Sequence, residues 1–217
     1  MSPTEDIVPI TYMSGTGGNF LCHFIVSAKR NIKTIIELSE HGNAHHKALK
    51  DISGPPYGPR LSDQNKIDFM MTKLEQKINH PTNFFTQRPF YTCTHIVDID
   101  LINTYFKKSV RITYDQDDIK EIAVVFYGKW GIDEGNSNWL THNVYYIKAY
   151  QSKFTELKNM PNVLFISWKE LFRGNIEELI TKISIFTDIN HDNFSRESLI
   201  HWRNKTQYCI DTFSETK

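Results

Sequence analysis

Four short apolar runs punctuate the chain, and the stretches between them carry apolar residues at helical spacing. The runs lack the alternation of a half-exposed strand, so we interpret them as strands buried on both faces. They are Ile7–Met13, Pro89–Val97, Ser109–Tyr114 and Asn162–Trp168. The spacing between them predicts helices at Asn19–Arg30, Asp63–Ile78, Asp98–Lys107, Asp118–Trp130, Asn138–Met160, Ile176–Phe186 and Asn193–Arg203.

The alternation of strands with helices indicates the fold class. Parallel strands need crossover connections, so this order is typical of a three-layer α/β/α fold with a central parallel sheet. The 217 residues suffice for one such domain with a substantial core. Because neither a repeat nor a low-complexity linker interrupts the chain, we expect residues 1–217 to form a single domain. The polar stretch 39–60, which contains "SGPPYGPR", is expected to be a loop.

Composition and charge narrow the classes of partner. Lys and Arg together number 25, and so do Asp and Glu, which gives a net charge of zero. Proteins that bind long nucleic acids usually carry a basic excess, so we expect no nucleic-acid partner. No stretch approaches the roughly 20 apolar residues of a membrane span, and the amino terminus lacks the pattern of a signal peptide. We therefore expect a cytoplasmic protein without a membrane partner.

The three cysteines, Cys22, Cys93 and Cys209, show no paired spacing, and two of them lie in apolar runs. This usage is typical of reduced, buried cysteines in a reducing compartment. A disulfide framework is not predicted.

A glycine-rich turn follows the first predicted strand, in the stretch "TYMSGTGGNFL". A strand, a glycine-rich turn and a helix amino terminus together favour anion binding, because the first-turn amides lack intrahelical acceptors and the helix dipole is positive there. We therefore expect the amides of residues 15–20 to converge on one point, where an anion or ordered waters would sit. A tight connection without a ligand is the alternative. The nucleotide triphosphatase pattern G-x-x-x-x-G-K-[ST] is absent, since no lysine follows the second glycine.

This turn resembles the phosphosulfate-binding loop of the sulfotransferase family, which is often written T-Y-P-K-S-G-T-T-W-L. Thr11, Tyr12, Ser14, Gly15 and Thr16 match that pattern. Further segments resemble later family motifs in the same order. They are "CTHIVDIDLINTYFKKSVRITY", "IKEIAVVFYGKW", "VLFISWKELFRGNIEELITKISIFTDI" and "HWRNKT".

The resemblance implies a P-loop-like sulfotransferase fold and a reaction. The sulfuryl group of 3′-phosphoadenosine 5′-phosphosulfate would pass to an acceptor hydroxyl or amine, with no metal required. His95 matches the family's catalytic base, a role suited to a histidine near neutral pH; a histidine hydrogen-bonded at the core edge is the alternative. The residues implied to bind the donor are Ser14, Gly15, Thr16, Gly17, Gly18, Asn19, Phe20, Arg196, Trp202 and Arg203.

Three positions depart from the family pattern. Met13 stands in place of the loop lysine, while Asp117 and Val125 stand in place of the arginine and serine that bind the 3′-phosphate. An aspartate repels a phosphate, so this pocket is either rebuilt or absent. The cations that could rebuild it are Arg111, Lys129, Arg196, Arg203 and Lys205. Arg203 is the first candidate because it matches the basic residue after the family's C-terminal tryptophan, and Arg196 is expected to share its helix face. We expect at least one of these two arginines to reach the cleft near the end of the strand at residues 110–114.

Other candidate residues have simpler explanations. His41, His45 and His46 have no carboxylate or cysteine at a known metal-ligand spacing and fit a solvated loop. Asp115, at the end of a strand, would hold Mg²⁺ in a P-loop phosphotransferase, yet helix capping explains the same acidic residue. Trp202 suits either the core or an adenine platform.

Three functions therefore remain open at this stage. The first is a sulfotransferase, the second a sulfotransferase-fold protein without catalysis that binds a ligand or serves a structural role, and the third a Mg²⁺-dependent phosphotransferase. The sequence leaves the acceptor and the oligomeric state open.

Overall fold

The computed structural model of the chain describes residues 3–13, 15–38, 62–78, 88–96, 98–130, 144 and 160–214. Within them lie four strands, each of five residues and each close to a predicted apolar run. The strands are β1 (Ile7–Thr11), β2 (Phe90–Thr94), β3 (Ser109–Thr113) and β4 (Val163–Ser167).

All four strands are parallel and form one sheet in the order β2-β1-β3-β4. Thr11 of β1 is in register with Thr94 of β2 and with Arg111 of β3. The helical connections that parallel pairing requires are present, so the α/β class predicted from the alternating pattern is confirmed.

Seven helices accompany the strands in the described part of the chain. They are α1 (Gly18–Lys29), α2 (Asp63–Ile78), α3 (Ile99–Tyr105), α4 (Ile119–Trp130), α5 (Trp168–Arg173), α6 (Ile176–Thr187) and α7 (Arg196–Phe213). Short 3₁₀ turns at Gln116–Asp118 and His191–Asn193 precede α4 and α7. The helix predicted for Asn138–Met160 lies almost wholly outside the described residues, as does the predicted loop at 39–60.

Two apolar cores lie on opposite faces of the sheet. Ile7 and Phe90 contribute to a smaller core with apolar residues of α2 and α3. Val8, Ile10 and Val110 point to the other face and join a larger core with residues of α1, α4 and α7. Because neighbouring residues of a strand alternate between faces, continuous apolar runs are what this two-sided burial requires.

Side-chain caps start several of the helices where the sequence supplies an acceptor. Asp98 accepts a hydrogen bond from the Leu101 amide at the start of α3. Asn175 accepts from the Glu177 and Glu178 amides, at 2.9 and 3.2 Å, at the start of α6. Such caps satisfy amides that have no acceptor inside the helix.

Two helices differ from the prediction. The final helix, α7, continues ten residues beyond Arg203, because Trp202, Thr206, Cys209 and Ile210 keep one face buried. The short helix α5 was missed. It begins with a capping box in which Ser167 and Glu170 bond each other's amides, and the sequence "SWKE" carries that signature.

The three cysteines are buried thiols outside any disulfide, as their spacing predicted. None of the described helices has the length and apolar character needed to cross a membrane.

The cap on α6 provides a test of the fold. Asn175→Ala is expected to lower the free energy of unfolding by about 1 kcal/mol, because two amides lose their acceptor. Asn204→Ala is a matched control, since Asn204 is exposed in the interior of α7, where alanine is the better helix former. Denaturant unfolding measures both variants, and equal losses would contradict the capping role.

Candidate functional site

The carboxyl ends of β1 and β3 lie side by side where the connections of the sheet diverge. From β1 the chain goes on to β2 at one edge of the sheet, and from β3 it goes on to β4 at the opposite edge. In parallel α/β sheets, ligands bind in the crevice at such a switch point. The glycine turn, Gly15–Gly18, follows β1 at this place and leads into α1.

Close packing explains why the glycine turn carries its three glycines. Gly15 and Gly17 have φ of 90° and 84°, in the left-handed region that favours glycine. A Cβ at Gly15 would lie 2.8 Å from the carbonyl oxygen of Ile122 in α4, and one at Gly17 would lie 2.5 Å from Cζ2 of Trp202. A Cβ at Gly18 would lie 2.0 Å from Cγ of Tyr12. Contacts within the chain thus require all three glycines, with or without a ligand.

The amides of the turn are not all directed at one point, as the anion-site hypothesis would have them. The amide and the hydroxyl of Thr16 both donate to the carbonyl of Met13, at 3.1 and 2.6 Å. These donors are therefore taken up within the turn, and the prediction that every amide from Gly15 to Phe20 converges on one anion is wrong at Thr16. Ser14 lies outside the described residues.

The amino end of α1 keeps features that suit an anion. Its N-cap, Gly17, brings no side-chain acceptor, and the first turn of α1 holds no acidic residue. The helix dipole and the first-turn amides therefore present partial positive charge that no side chain of this turn offsets.

Asn19 and Phe20, predicted to contact the donor, have side chains that face the protein interior. The Asn19 side-chain oxygen accepts from Sγ of Cys93 in β2, at 2.9 Å. Phe20 is 1% exposed and stacks on Trp202, with ring centroids 4.8 Å apart. These two side chains hold α1 against its neighbours, so only their amides suit a role in anion binding.

His95 lies beside the glycine turn, at the carboxyl end of β2. Its Nδ1 is 2.8 Å from the Tyr12 carbonyl, and its ring lies 4.3 Å from the Tyr12 ring. A carbonyl oxygen can only accept, so Nδ1 carries the proton and Nε2 is the basic nitrogen of the neutral ring. Such a tautomer suits a general base. The ring is half-buried next to the start of the turn, and its Nε2 atom is not open to solvent in this conformation.

The two arginines assigned to the 3′-phosphate are engaged elsewhere. Arg203 donates to the carbonyls of Glu170, Leu171 and Gly174, at 2.8–3.0 Å, at the carboxyl end of α5. Arg196 forms a two-pronged ion pair with Glu177, at 2.5 and 2.7 Å, and its hydrogen bonds hold the pKa of Glu177 below its usual range. The expectation that one of them reaches the end of β3 is therefore not met in this conformation.

Trp202 belongs to the core. Its side chain is fully buried between Phe20, Phe172 and the glycine turn. An adenine platform needs one accessible ring face, and Trp202 offers none here. Of the two explanations that the sequence allowed, the structure supports the core residue.

The three departures from the family pattern also have structural explanations. Met13 is 2% exposed and Val125 is fully buried, and both pack in the larger core. Asp117 is exposed in the turn before α4. Met13 and Val125 therefore pack in the core at positions where the family pattern has polar residues that contact the ligand.

Arg111, one of the cations that the sequence offered for the 3′-phosphate pocket, is a buried charge on the face of the sheet that carries the smaller core. Arg111 of β3 is fully buried in register with Thr11. Burial lowers the pKa of Arg111 to about 10, while Tyr114, Asp63 and Asp98 oppose that shift. The guanidinium therefore stays charged at neutral pH, with two carboxylates near it. The sequence signal for this buried charge was a lone arginine in the apolar run "SVRITY".

The sequence offered Asp115 and the three histidines His41, His45 and His46 as metal candidates. No group of three or more His, Cys, Asp or Glu side chains suited to a metal ion occurs among the described residues. The carboxylate of Asp115 is 66% exposed and 4.0 Å from Nζ of Lys169. His41, His45 and His46 lie outside the described part of the chain.

Neither models of known protein families nor curated protein sequences give a match to this chain. The resemblance to sulfotransferases therefore rests on the sequence motifs.

The contact between the glycine turn and α7 can be measured by a double-mutant cycle. Gly17→Ala is expected to cost about 1–3 kcal/mol of stability, because alanine is strained at this φ and its Cβ meets the Trp202 ring. In a Trp202→Phe background the same change should cost less, since Cζ2 and Cη2 are gone. Thermal and denaturant unfolding give the four stabilities, and an equal cost in both backgrounds would show that the ring contact is unimportant.

The two arginines should behave differently when truncated. Arg203→Ala is expected to lower stability by about 1.5–3 kcal/mol, because a charged donor to three carbonyls is lost. Arg196→Ala serves as the control and is expected to cost clearly less than Arg203→Ala, since its ion pair is exposed. Chemical denaturation compares them, and the reverse order would contradict these structural roles.

Proposed function

We propose that this chain is a sulfotransferase that moves the sulfuryl group of 3′-phosphoadenosine 5′-phosphosulfate to a hydroxyl or amine acceptor. The observation that carries the proposal is the position of His95. Its Nδ1 is bonded to the carbonyl of Tyr12, just before the glycine turn, which makes Nε2 the basic nitrogen of the neutral ring. Nε2 is buried in this conformation, so transfer requires the acceptor to gain access to it. The motif order and the parallel sheet support the same reading.

Each part of the proposed site has one task in the reaction. The uncapped amino end of α1 attracts the 5′-phosphosulfate through its first-turn amides and dipole. The acceptor oxygen or nitrogen attacks sulfur in line with the bond to the leaving phosphate, and that bond breaks. The acceptor proton passes to Nε2 of His95, and 3′-phosphoadenosine 5′-phosphate departs. Placement and charge stabilisation supply most of the rate enhancement in a transfer of this kind.

The nucleotide's 3′-phosphate is the part of the donor with the least support. Arg203 is bonded to carbonyls, Arg196 to Glu177, and Asp117 would repel the phosphate. These observations favour a second candidate, a sulfotransferase-fold protein that binds or scaffolds without catalysis. The packing that accounts for all three glycines of the turn is consistent with this second candidate as well.

Ligand titration separates the candidates. For the sulfotransferase we expect metal-free binding of 3′-phosphoadenosine 5′-phosphate at micromolar concentration, tighter than binding of adenosine 5′-phosphate. Equal affinity for the two nucleotides, or no binding of either, would favour the non-catalytic protein. Binding of ATP that requires Mg²⁺ would instead favour a phosphotransferase. Isothermal titration calorimetry makes all of these comparisons.

Loss of the proposed base should affect turnover without affecting the donor. His95→Ala is expected to lower sulfuryl transfer roughly 10²- to 10⁴-fold, the usual range for a general base, with little change in donor affinity. His201→Ala in α7 is the control and should retain full activity. Transfer of labelled sulfate from the donor to a panel of hydroxyl and amine acceptors measures the rate. An active His95→Ala enzyme would remove His95 from the mechanism.

A further inference from the structure

The amino end of α2 holds the stretch of chain that carries His95. The ammonium of Lys66 donates to the main-chain carbonyl of His95 at 3.2 Å, and it lies 2.7 Å from Oδ1 of Asp63. The Lys66 side chain is only 13% exposed, which is unusual for a lysine. A buried ammonium thus joins a helix to the peptide that follows β2.

Asp63 extends this connection to the far side of His95. Its second oxygen, Oδ2, accepts from the Asp98 amide at 3.0 Å. Asp98 in turn caps α3 through the Leu101 amide. Two residues of α2 therefore hold the main chain after β2: Lys66 bonds the carbonyl of His95, and Asp63 bonds the amide of Asp98.

The charged side chains around these two hydrogen bonds comprise two cations and two carboxylates. Lys66 and the buried Arg111 are the cations, and Asp63 and Asp98 are the carboxylates that face them. Ion pairs contribute little net stability, because desolvation offsets the attraction where they are buried and solvent screens it where they are exposed. This group, in which Lys66 and Asp63 are partly buried and Asp98 is exposed, is therefore weakly explained by stability alone. The ion pair between Lys66 and Asp63 could stabilise α2 without the further hydrogen bond from Lys66 to the His95 carbonyl, so that hydrogen bond requires a separate explanation.

The imidazole itself is held from the other side. The Tyr12 carbonyl accepts from Nδ1, and the Tyr12 ring packs against the imidazole. The main chain at His95 must therefore stay in place for Nδ1 to meet this carbonyl and for Nε2 to remain the basic nitrogen.

The geometry points to Lys66, oriented by Asp63, as the positioning residue for His95. By holding the His95 carbonyl, Lys66 keeps the imidazole in register with the Tyr12 carbonyl and so sets the tautomer of the base. The inference deepens the proposed function and rests on it for its catalytic consequence. Its structural consequence, the tautomer of His95, is independent of that function.

Kinetics test the catalytic consequence. Lys66→Met is expected to lower kcat roughly 10- to 100-fold, the cost of a small misplacement of a reacting group, with KM for the donor unchanged within about twofold. Lys66→Arg restores a donor and should recover most of kcat. Lys73→Met is the matched control on the same helix and should match wild type, because Lys73 bonds only to Gln76 across the surface in the contacts described.

Nuclear magnetic resonance of histidines labelled with ¹⁵N tests the structural consequence without any activity. In the wild type, His95 should show a protonated Nδ1 and an unprotonated Nε2 near neutral pH. Lys66→Met should shift this pattern towards a mixture of tautomers, while Lys73→Met leaves it unchanged. If Lys66→Met fails to fold, Asp63→Asn takes its place, since it removes the charge that orients Lys66 and should shift the pattern in the same direction.

The outcomes separate the two proposals. A wild-type protein with the expected tautomer but no sulfuryl transfer to any acceptor would overturn the proposed function and leave the positioning role in place. The positioning role would be overturned if Lys66→Met folded and kept both the wild-type tautomer and the wild-type kcat. The same result for Asp63→Asn would overturn it where that variant is used instead. A loss of kcat that Lys66→Arg does not recover would also overturn it.

Discussion

The turn between β1 and α1 has no room for a side chain at its three glycines, and much of the structure depends on that close fit. Gly15 touches the backbone of α4, Gly17 lies on the ring of Trp202, and Gly18 lies on the ring of Tyr12. Through these contacts the central strand, the first helix and the last helix meet at one place. The position of the α1 amino end, and therefore of any anion it holds, is set by apolar packing rather than by polar ligand contacts.

That constraint changes how the resemblance to sulfotransferases is weighed. A glycine-rich turn after a strand is commonly read as a sign of a bound phosphate, yet here each glycine is already required by a neighbour in the fold. What the packing leaves unexplained is the pairing of His95 with the carbonyl of Tyr12, directly beside the turn. A histidine oriented in this way is the stronger argument for chemistry, because the packing of the glycine turn does not depend on it.

The strands and most helices could be predicted because two-sided burial leaves a direct trace in the sequence. Each of the four strands is an apolar run, and α2 was predicted with its observed bounds. The roles of Arg196, Arg203 and Trp202 could not be predicted in the same way, since a motif gives the order of residues but not the direction of their side chains. Lys66 and His95 meet only because α2 packs beside the end of β2, and no local pattern records that contact. The start of α5 could have been predicted, although it was missed, because its capping box is visible in the sequence.

The contact between Gly17 and Trp202 also has a consequence for the order of events during synthesis. Residue 202 emerges from the ribosome only after residues 18–201, which separate it from residue 17, have been made. Contacts so distant in sequence are slow to form, because the intervening chain must be ordered first. The nascent chain must therefore carry an unsupported glycine turn until α7 arrives, and a chaperone that binds apolar segments would find the uncovered face of α1 during that interval.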